Sequence, residues 1–170
     1  MEASSNSNLL RAIQARDASK VAALLAQYDN SATERTASCP LHYACQLGYS
    51  EIVAELLKHP SCLSAINEFD DISYTPLMYA AKHGDVGLVD LLITAGADVN
   101  ARDESRIGNT VLREVIETAH PRMVKALLDR GADPRIEGWM QLTAVDKANE
   151  RYERERSSDA AEIVDLISRR

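Results

Sequence analysis

Apolar residues in this chain return at the third and fourth positions and then stop, a period that belongs to short helices rather than strands. The clearest example begins at Thr75-Pro76-Leu77. Thr75 can cap a helix with its hydroxyl, and Pro76 suits the first helical position, where a missing N–H costs nothing. Leu77, Ala80 and Ala81 then share one face, and Gly84 can close the helix in the left-handed conformation. Asp85 can cap a second helix whose apolar positions are Val86, Val89, Leu92 and Ile93, and Gly96 stops it. Two helices this short cannot bury their apolar faces alone, so the unit needs neighbours.

The same pattern is anchored at Leu9, Leu41, Leu77, Leu112 and Val145, separated by 32, 36, 35 and 33 residues. All but the Leu112 copy have a small residue three positions after the anchor; a turn near the seventh position and an apolar stripe follow, with an insertion in the Val145 copy. A period in this range predicts a stacked repeat array with atypical end repeats. Thr75-Pro76-Leu77-Met78-Tyr79-Ala80 and Cys39-Pro40-Leu41-His42-Tyr43-Ala44 resemble the Thr-Pro-Leu-His-x-Ala signature of ankyrin repeats. Gly96-Ala97-Asp98-Val99-Asn100-Ala101 and Gly131-Ala132-Asp133-Pro134 resemble the segment that follows their second helix.

The resemblance covers about residues 8 to 170 and implies an all-α ankyrin-repeat solenoid: helix-turn-helix pairs with hairpin or loop fingers and a capping repeat at each end. The expected repeats are approximately 8–38, 39–72, 73–107, 108–140 and 141–170, forming a single domain after a polar, disordered segment over residues 1–7. Tyr28 to Ser38 is expected as a loop. Several copies depart from the pattern. Cys39 replaces the capping Thr, Pro60 ends a helix where Gly is usual, and Val115 and Ile116 replace two alanines. Glu68, Asp70 and Asp71 read as a solvated acidic hairpin. Asn149 to Ser158, dense in mixed charge, reads as a solvated helix laced by ion pairs three and four residues apart.

Composition narrows the function classes. With 170 residues, 45% hydrophobic and 26% charged, the chain is ordinary globular material of one domain. A net charge of −7 argues against nucleic acid as a partner, because phosphate backbones are held by concentrated Lys and Arg. The first residues lack a basic and an apolar region, and no stretch is long enough to span a membrane. Cys39, Cys45 and Cys62 lack metal-ligand spacing and read as reduced thiols. The expectation is a cytoplasmic protein, nuclear if eukaryotic, that is a monomer and contacts no membrane.

No catalytic constellation stands out. Cys39 and His42 are three apart, but the resemblance gives His42 an inter-repeat hydrogen bond, and no phosphate loop, nucleophile elbow or zinc motif is present. The chain is therefore expected to be no enzyme, with no cofactor, metal or small-molecule substrate. The resemblance implies instead that another protein binds the concave face of fingers and first helices. Carried across, the binding positions are Gln46, Leu47, Asp71, Ile72, Tyr74, Lys82, His83, Arg106, Ile107, Asn109, Trp139 and Met140. Aromatic, Met and Arg side chains at such positions are the types enriched in binding hot spots. An adaptor or stoichiometric regulator is the expected role. The alternatives are a bacterial effector or immunity-type protein with a foreign protein target, and an interaction module belonging to a larger multidomain protein.

Overall fold

The computed structural model describes residues 2–26, 39–106 and 108–170, with side chains from Asn6 onward. The described residues form helices α1 (Glu2–Gln14), α2 (Ala18–Leu25), α3 (Pro40–Gln46), α4 (Ser50–Leu56), α5 (Pro60–Leu63), α6 (Pro76–His83), α7 (Val86–Thr94), α8 (Val111–Val115), α9 (Pro121–Asp129), α10 (Ala144–Glu155) and α11 (Ser158–Ser168). Among them there is no strand. They fall into two compact units, one comprising the residues up to His83 with Gly87–Ala97, the other Gly84–Val86 with Asp98–Arg170.

In the first unit α1 packs on α2 and α3, α2 on α4, and α3 on α4 and α6. The period selects most of the buried residues: Leu9, Ala12, Ile13, Val21, Leu41, Ala44, Ile52, Val53, Leu56, Leu77, Ala80, Ala81, Val89 and Leu92; Leu88 is buried as well, whereas Val86 and Ile93 are half-buried. Each fully buried Leu or Ile removes enough apolar surface from water to contribute about 1.5–3 kcal/mol. In the second unit α8 packs on α9 and α10, and α11 on α9 and α10. Its core holds Leu112, Met123, Val124, Leu127, Ala144, Ala148, Ala160 and Ile163. Val115 and Ile116 are fully buried here too, in place of the usual alanines.

The predicted Thr75 cap forms, and Thr110 and Thr143 cap two further helices, whereas α4 starts without a side-chain cap. The Thr75 hydroxyl accepts from the Met78 N–H at 3.3 Å and the Thr110 hydroxyl from the Arg113 N–H at 3.4 Å. Thr143 and Asp146 make a reciprocal capping box, with Asp146 N donating to Thr143 Oγ1 at 3.2 Å and Thr143 N to Asp146 Oδ2 at 2.8 Å. Those bonds hold the Asp146 carboxyl below the usual carboxylate range. Cys39 makes no side-chain cap bond, as expected of a thiol at that position.

Four expectations need correction. Glu2–Ser7, expected to be disordered, belong to α1, because extending a helix already anchored by Leu9, Ala12 and Ile13 fixes few residues per added bond. Pro60 does not merely end α4; it starts the extra turn α5, with Ile66 buried and Leu63 left exposed. The acidic stretch 68–71 is not wholly solvated, since Asp70 is buried. The charged helix is not wholly solvated either. It carries the expected pairs, such as Arg151 to Glu155 at 3.0 Å and Lys147 to Glu150 at 2.6 Å. Yet Arg151 is itself buried and donates to the carbonyls of Ile116 at 2.9 Å and Ala119 at 2.8 Å, closing the C-terminal end of α8. The expected loop Tyr28–Ser38 lies outside the described residues.

Candidate functional site

Two five-residue loops, one in each unit, carry Asp71, Ile72, Tyr74, Trp139 and Met140 of the candidate positions. The first, Asp70 to Tyr74, precedes α6. Its neck is closed by Asp70 N donating to Tyr74 O at 3.0 Å, and Ser73 adopts a left-handed φ of 63°. Asp70 organises the loop from inside. Its Oδ1 accepts from the N–H groups of Ile72 at 3.0 Å and Tyr74 at 2.9 Å, and its Oδ2 accepts the Tyr79 hydroxyl at 2.6 Å. A carboxylate accepting backbone N–H bonds at this range makes charge-assisted bonds about twice as strong as neutral ones. Tyr79 stands edge-on to Tyr74 at 5.3 Å and to His42 at 6.4 Å, and burial with the Asp70 carboxylate raises its phenol well above the ordinary range. His42 Nε2 bonds Glu68 O at 3.0 Å just before the loop, and burial holds its imidazole below the usual value.

The second loop, Gly138 to Leu142, precedes α10 and repeats the first 68 residues later. Gly138 N donates to Leu142 O at 3.0 Å, and Met140 and Gln141 have left-handed φ of 61° and 58°. Here the first position is glycine, so no carboxylate is available inside. The clamp comes from α8: Arg113, 7% exposed, donates Nε to Leu142 O at 3.2 Å and Nη2 to Trp139 O at 3.3 Å. Asn109 Oδ1 accepts the Trp139 N–H at 3.1 Å while its Nδ2 donates to Glu114 at 3.0 Å. A Cβ on Gly138 would meet Asn109 Oδ1 at 2.6 Å and Arg113 Cδ at 2.7 Å, so the clamp needs glycine there. Arg102 Nη1 holds the preceding carbonyl of Glu137 at 2.5 Å.

The two clamps correspond. Arg113 follows its helix anchor Leu112 as His42 follows Leu41, and each reaches a carbonyl 26 residues onward, Trp139 and Glu68 respectively. Between successive repeats a second tie recurs, with Asn67 Nδ2 donating to Gly96 O at 3.1 Å and Asn100 Nδ2 to Gly131 O at 2.9 Å.

The predicted binding positions separate into two kinds. Ile72, Trp139 and Met140 project, 63%, 50% and 67% exposed, and Gln46, Asp71, Lys82, His83 and Arg106 are exposed polar residues. Leu47 is half-buried. Tyr74 and Asn109 turn partly inward: Lys82 Nζ donates to the Tyr74 hydroxyl at 2.8 Å and lies 4.8 Å from its ring centroid, and Asn109 is part of the clamp. The His83 ring lies over Gly48, where an added Cβ would stand 2.2 Å from Nε2. Ile107 lies outside the described residues. Sequence reasoning missed Asp70, Tyr79, Arg113 and Arg102. The register of Arg113 against His42 was the one signal for it.

Cys39, Cys45 and Cys62 are free thiols, and burial pushes the Cys62 thiol up to about 12 and the other two upward as well. Groups so far from thiolate are poor nucleophiles. Among the described residues no set of His, Cys, Asp and Glu is grouped to hold a metal ion, and no helix is long and apolar enough to cross a membrane.

A family model for ankyrin repeats in three copies matches residues 9–103 and 66–138. An ankyrin repeat-containing protein of Treponema pallidum (strain Nichols) is 32% identical over 104 residues, covering 61% of this chain and 34% of its own length. The ankyrin repeat and SAM domain-containing protein 6 of Rattus norvegicus is 32% identical over 107 residues, covering 62% of this chain and 12% of its own. An ADP-ribosylation factor GTPase-activating protein of Arabidopsis thaliana is 40% identical over 75 residues, covering 44% and 9%. The chain thus spans about a third or less of the length of these relatives.

Proposed function

Since this chain belongs to the ankyrin-repeat family, we propose that it works as a protein-binding module, an adaptor or stoichiometric regulator, through the loop tips of its fingers. The ankyrin fold is an interaction module in general, and the reading assigns this chain no catalytic step, cofactor or small-molecule substrate. What carries it is the distribution of exposed apolar side chains. Among the described residues the exposed large hydrophobics are Leu63, Ile72, Trp139 and Met140, and three of the four sit on the two clamped loops. Large apolar side chains on a rigid support bind with little ordering cost, which is how hot spots concentrate affinity. The proposal includes five repeats with the boundaries expected above, the first and last as caps, in a chain acting as a monomer in the cytoplasm; the order of paired helices supports the repeat count.

Crosslinking mass spectrometry in native lysate tests the reading. A partner should crosslink near residues 68–82 or 135–147, and Ile72→Ala with Trp139→Ala should weaken its capture by about a hundredfold, as loss of two hot spots implies. Capture that is unchanged by both substitutions would sink the reading.

A further inference from the structure

The Gly138–Leu142 loop is held in an uncommon conformation by the buried guanidinium of Arg113. Two successive non-glycine residues, Met140 and Gln141, stand in the left-handed region, a strained conformation kept only where the surroundings over-determine it. Three groups supply that determination. The Arg113 guanidinium spans the loop's neck between Trp139 O and Leu142 O, Asn109 fixes the Trp139 N–H, and the missing Gly138 side chain leaves the space both occupy. Both carbonyls that Arg113 reaches already accept a backbone donor, Leu142 N on Trp139 O and Gly138 N on Leu142 O. The clamp therefore rescues no orphaned backbone group; what it adds is rigidity. Its product is outward: Trp139 and Met140 stand half or more exposed at a fixed place.

We infer that Arg113 is a positioning residue that pre-orders Trp139 and Met140 as one apolar contact point, shaped to enter an apolar pocket on a partner protein. This rests on the protein-binding reading given above and adds to it how the contact is prepared. A mobile Trp-Met tip would lose side-chain and loop freedom on binding, whereas a clamped tip has lost it beforehand. The guanidinium suits the task because its planar fork meets two carbonyls at once.

Trp139 is the only tryptophan of the chain, so its fluorescence reports on this loop alone. The experiment compares the full chain with Arg113→Lys, Arg113→Met and Gly138→Ala, reading Trp139 anisotropy and acrylamide quenching, with far-UV circular dichroism as the check on folding. The expected result is retained helix, lower anisotropy and a quenching constant raised about twofold in all three, because each loosens the clamp on the loop. Arg113→Lys keeps the charge and stem and loses only the fork, so it decides the matter if the other two fail to fold. Unchanged anisotropy and quenching in folded Arg113→Lys would overturn the inference, whatever its melting temperature. A partner identified by crosslinking adds a separate reading: Arg113→Lys should weaken it about tenfold while Trp139→Ala weakens it further. If Trp139→Ala has no effect on capture while the fluorescence changes as expected, the binding role has failed and the clamp stands.

Discussion

The loops Asp70–Tyr74 and Gly138–Leu142 have the same length, the same neck bond and a left-handed residue at the same place, Ser73 and Gln141, yet they are held by opposite charges. In the first the holding group is an anion within the loop, accepting two loop N–H groups and a tyrosine hydroxyl. In the second it is a cation from the preceding helix, donating to two loop carbonyls. The difference follows from one position. Where the first loop begins with Asp70 the second begins with Gly138, and the vacated volume is taken by Arg113 and Asn109. A finger tip can thus be kept rigid from either side of the backbone's polarity, and the tip residues Ile72 and Met140 are free to be chosen for what they touch outside.

The largest test of that comparison removes the anion. Asp70→Ala strands the amides of Ile72 and Tyr74 and the Tyr79 hydroxyl together, and urea unfolding should show a loss of about 3 kcal/mol, since buried bonds to a charged acceptor are worth about 1.5–3 kcal/mol and leave unmet donors behind. Arg113→Met should cost less, about 1.5 kcal/mol in the same measurement, because its two carbonyls keep their backbone donors and the Met side chain fills much of the stem's space. Equal losses would mean that the two clamps do the same work and that the contrast is one of chemistry only.

Acid should separate the loops further. Burial depresses the His42 imidazole below its usual 6.5 in the folded protein, so in the window beneath 6.5 the unfolded chain takes up a proton that the folded chain resists. Its contribution to stability is complete above that value and is lost as the pH falls through the window. The second loop has no imidazole at the equivalent position, which Arg113 occupies. Amide exchange between pH 7.5 and 5, corrected for intrinsic rates, should show protection falling at Tyr74 and Ser73 while Trp139 and Leu142 keep theirs. The smallest effect belongs to the tips themselves. Ile72→Ala and Met140→Ala, on exposed side chains, should each shift stability by no more than about 0.5 kcal/mol in thermal melts.

How much of this was legible in the sequence depends on range. The paired helices, the Thr75 cap and most of the buried stripe from Leu9 to Ile163 are local patterns, written within a few residues, and they form as the spacing predicts, although in the last copy Ala144 rather than the anchor Val145 is buried. The buried ionic groups are not local. Arg113 acts 26 and 29 residues away and Arg151 acts 32 and 35 residues away, each on a backbone carbonyl that every residue has, so no partner residue type marks the bond. Asp70 was misread for a different reason: among Glu68 and Asp71 it looks like one more solvated acid, and only the fold of the loop turns it inward. The same applies to the candidate site. Ile72, Trp139 and Met140 were recognisable as large apolar residues at finger positions, whereas the inward turn of Tyr74 depends on Lys82 and Tyr79 and that of Asn109, separately, on the space left by Gly138.

The central claim is that rigid supports hold Ile72 and Trp139 out for a partner and that neither side chain belongs to the core. The most direct measurement pairs a binding titration of the crosslinked partner with a thermal melt of the double variant Ile72→Ala, Trp139→Ala. The account predicts an affinity about a hundredfold weaker with the melt almost unmoved. An unchanged affinity, or a collapse of the melt, would contradict it.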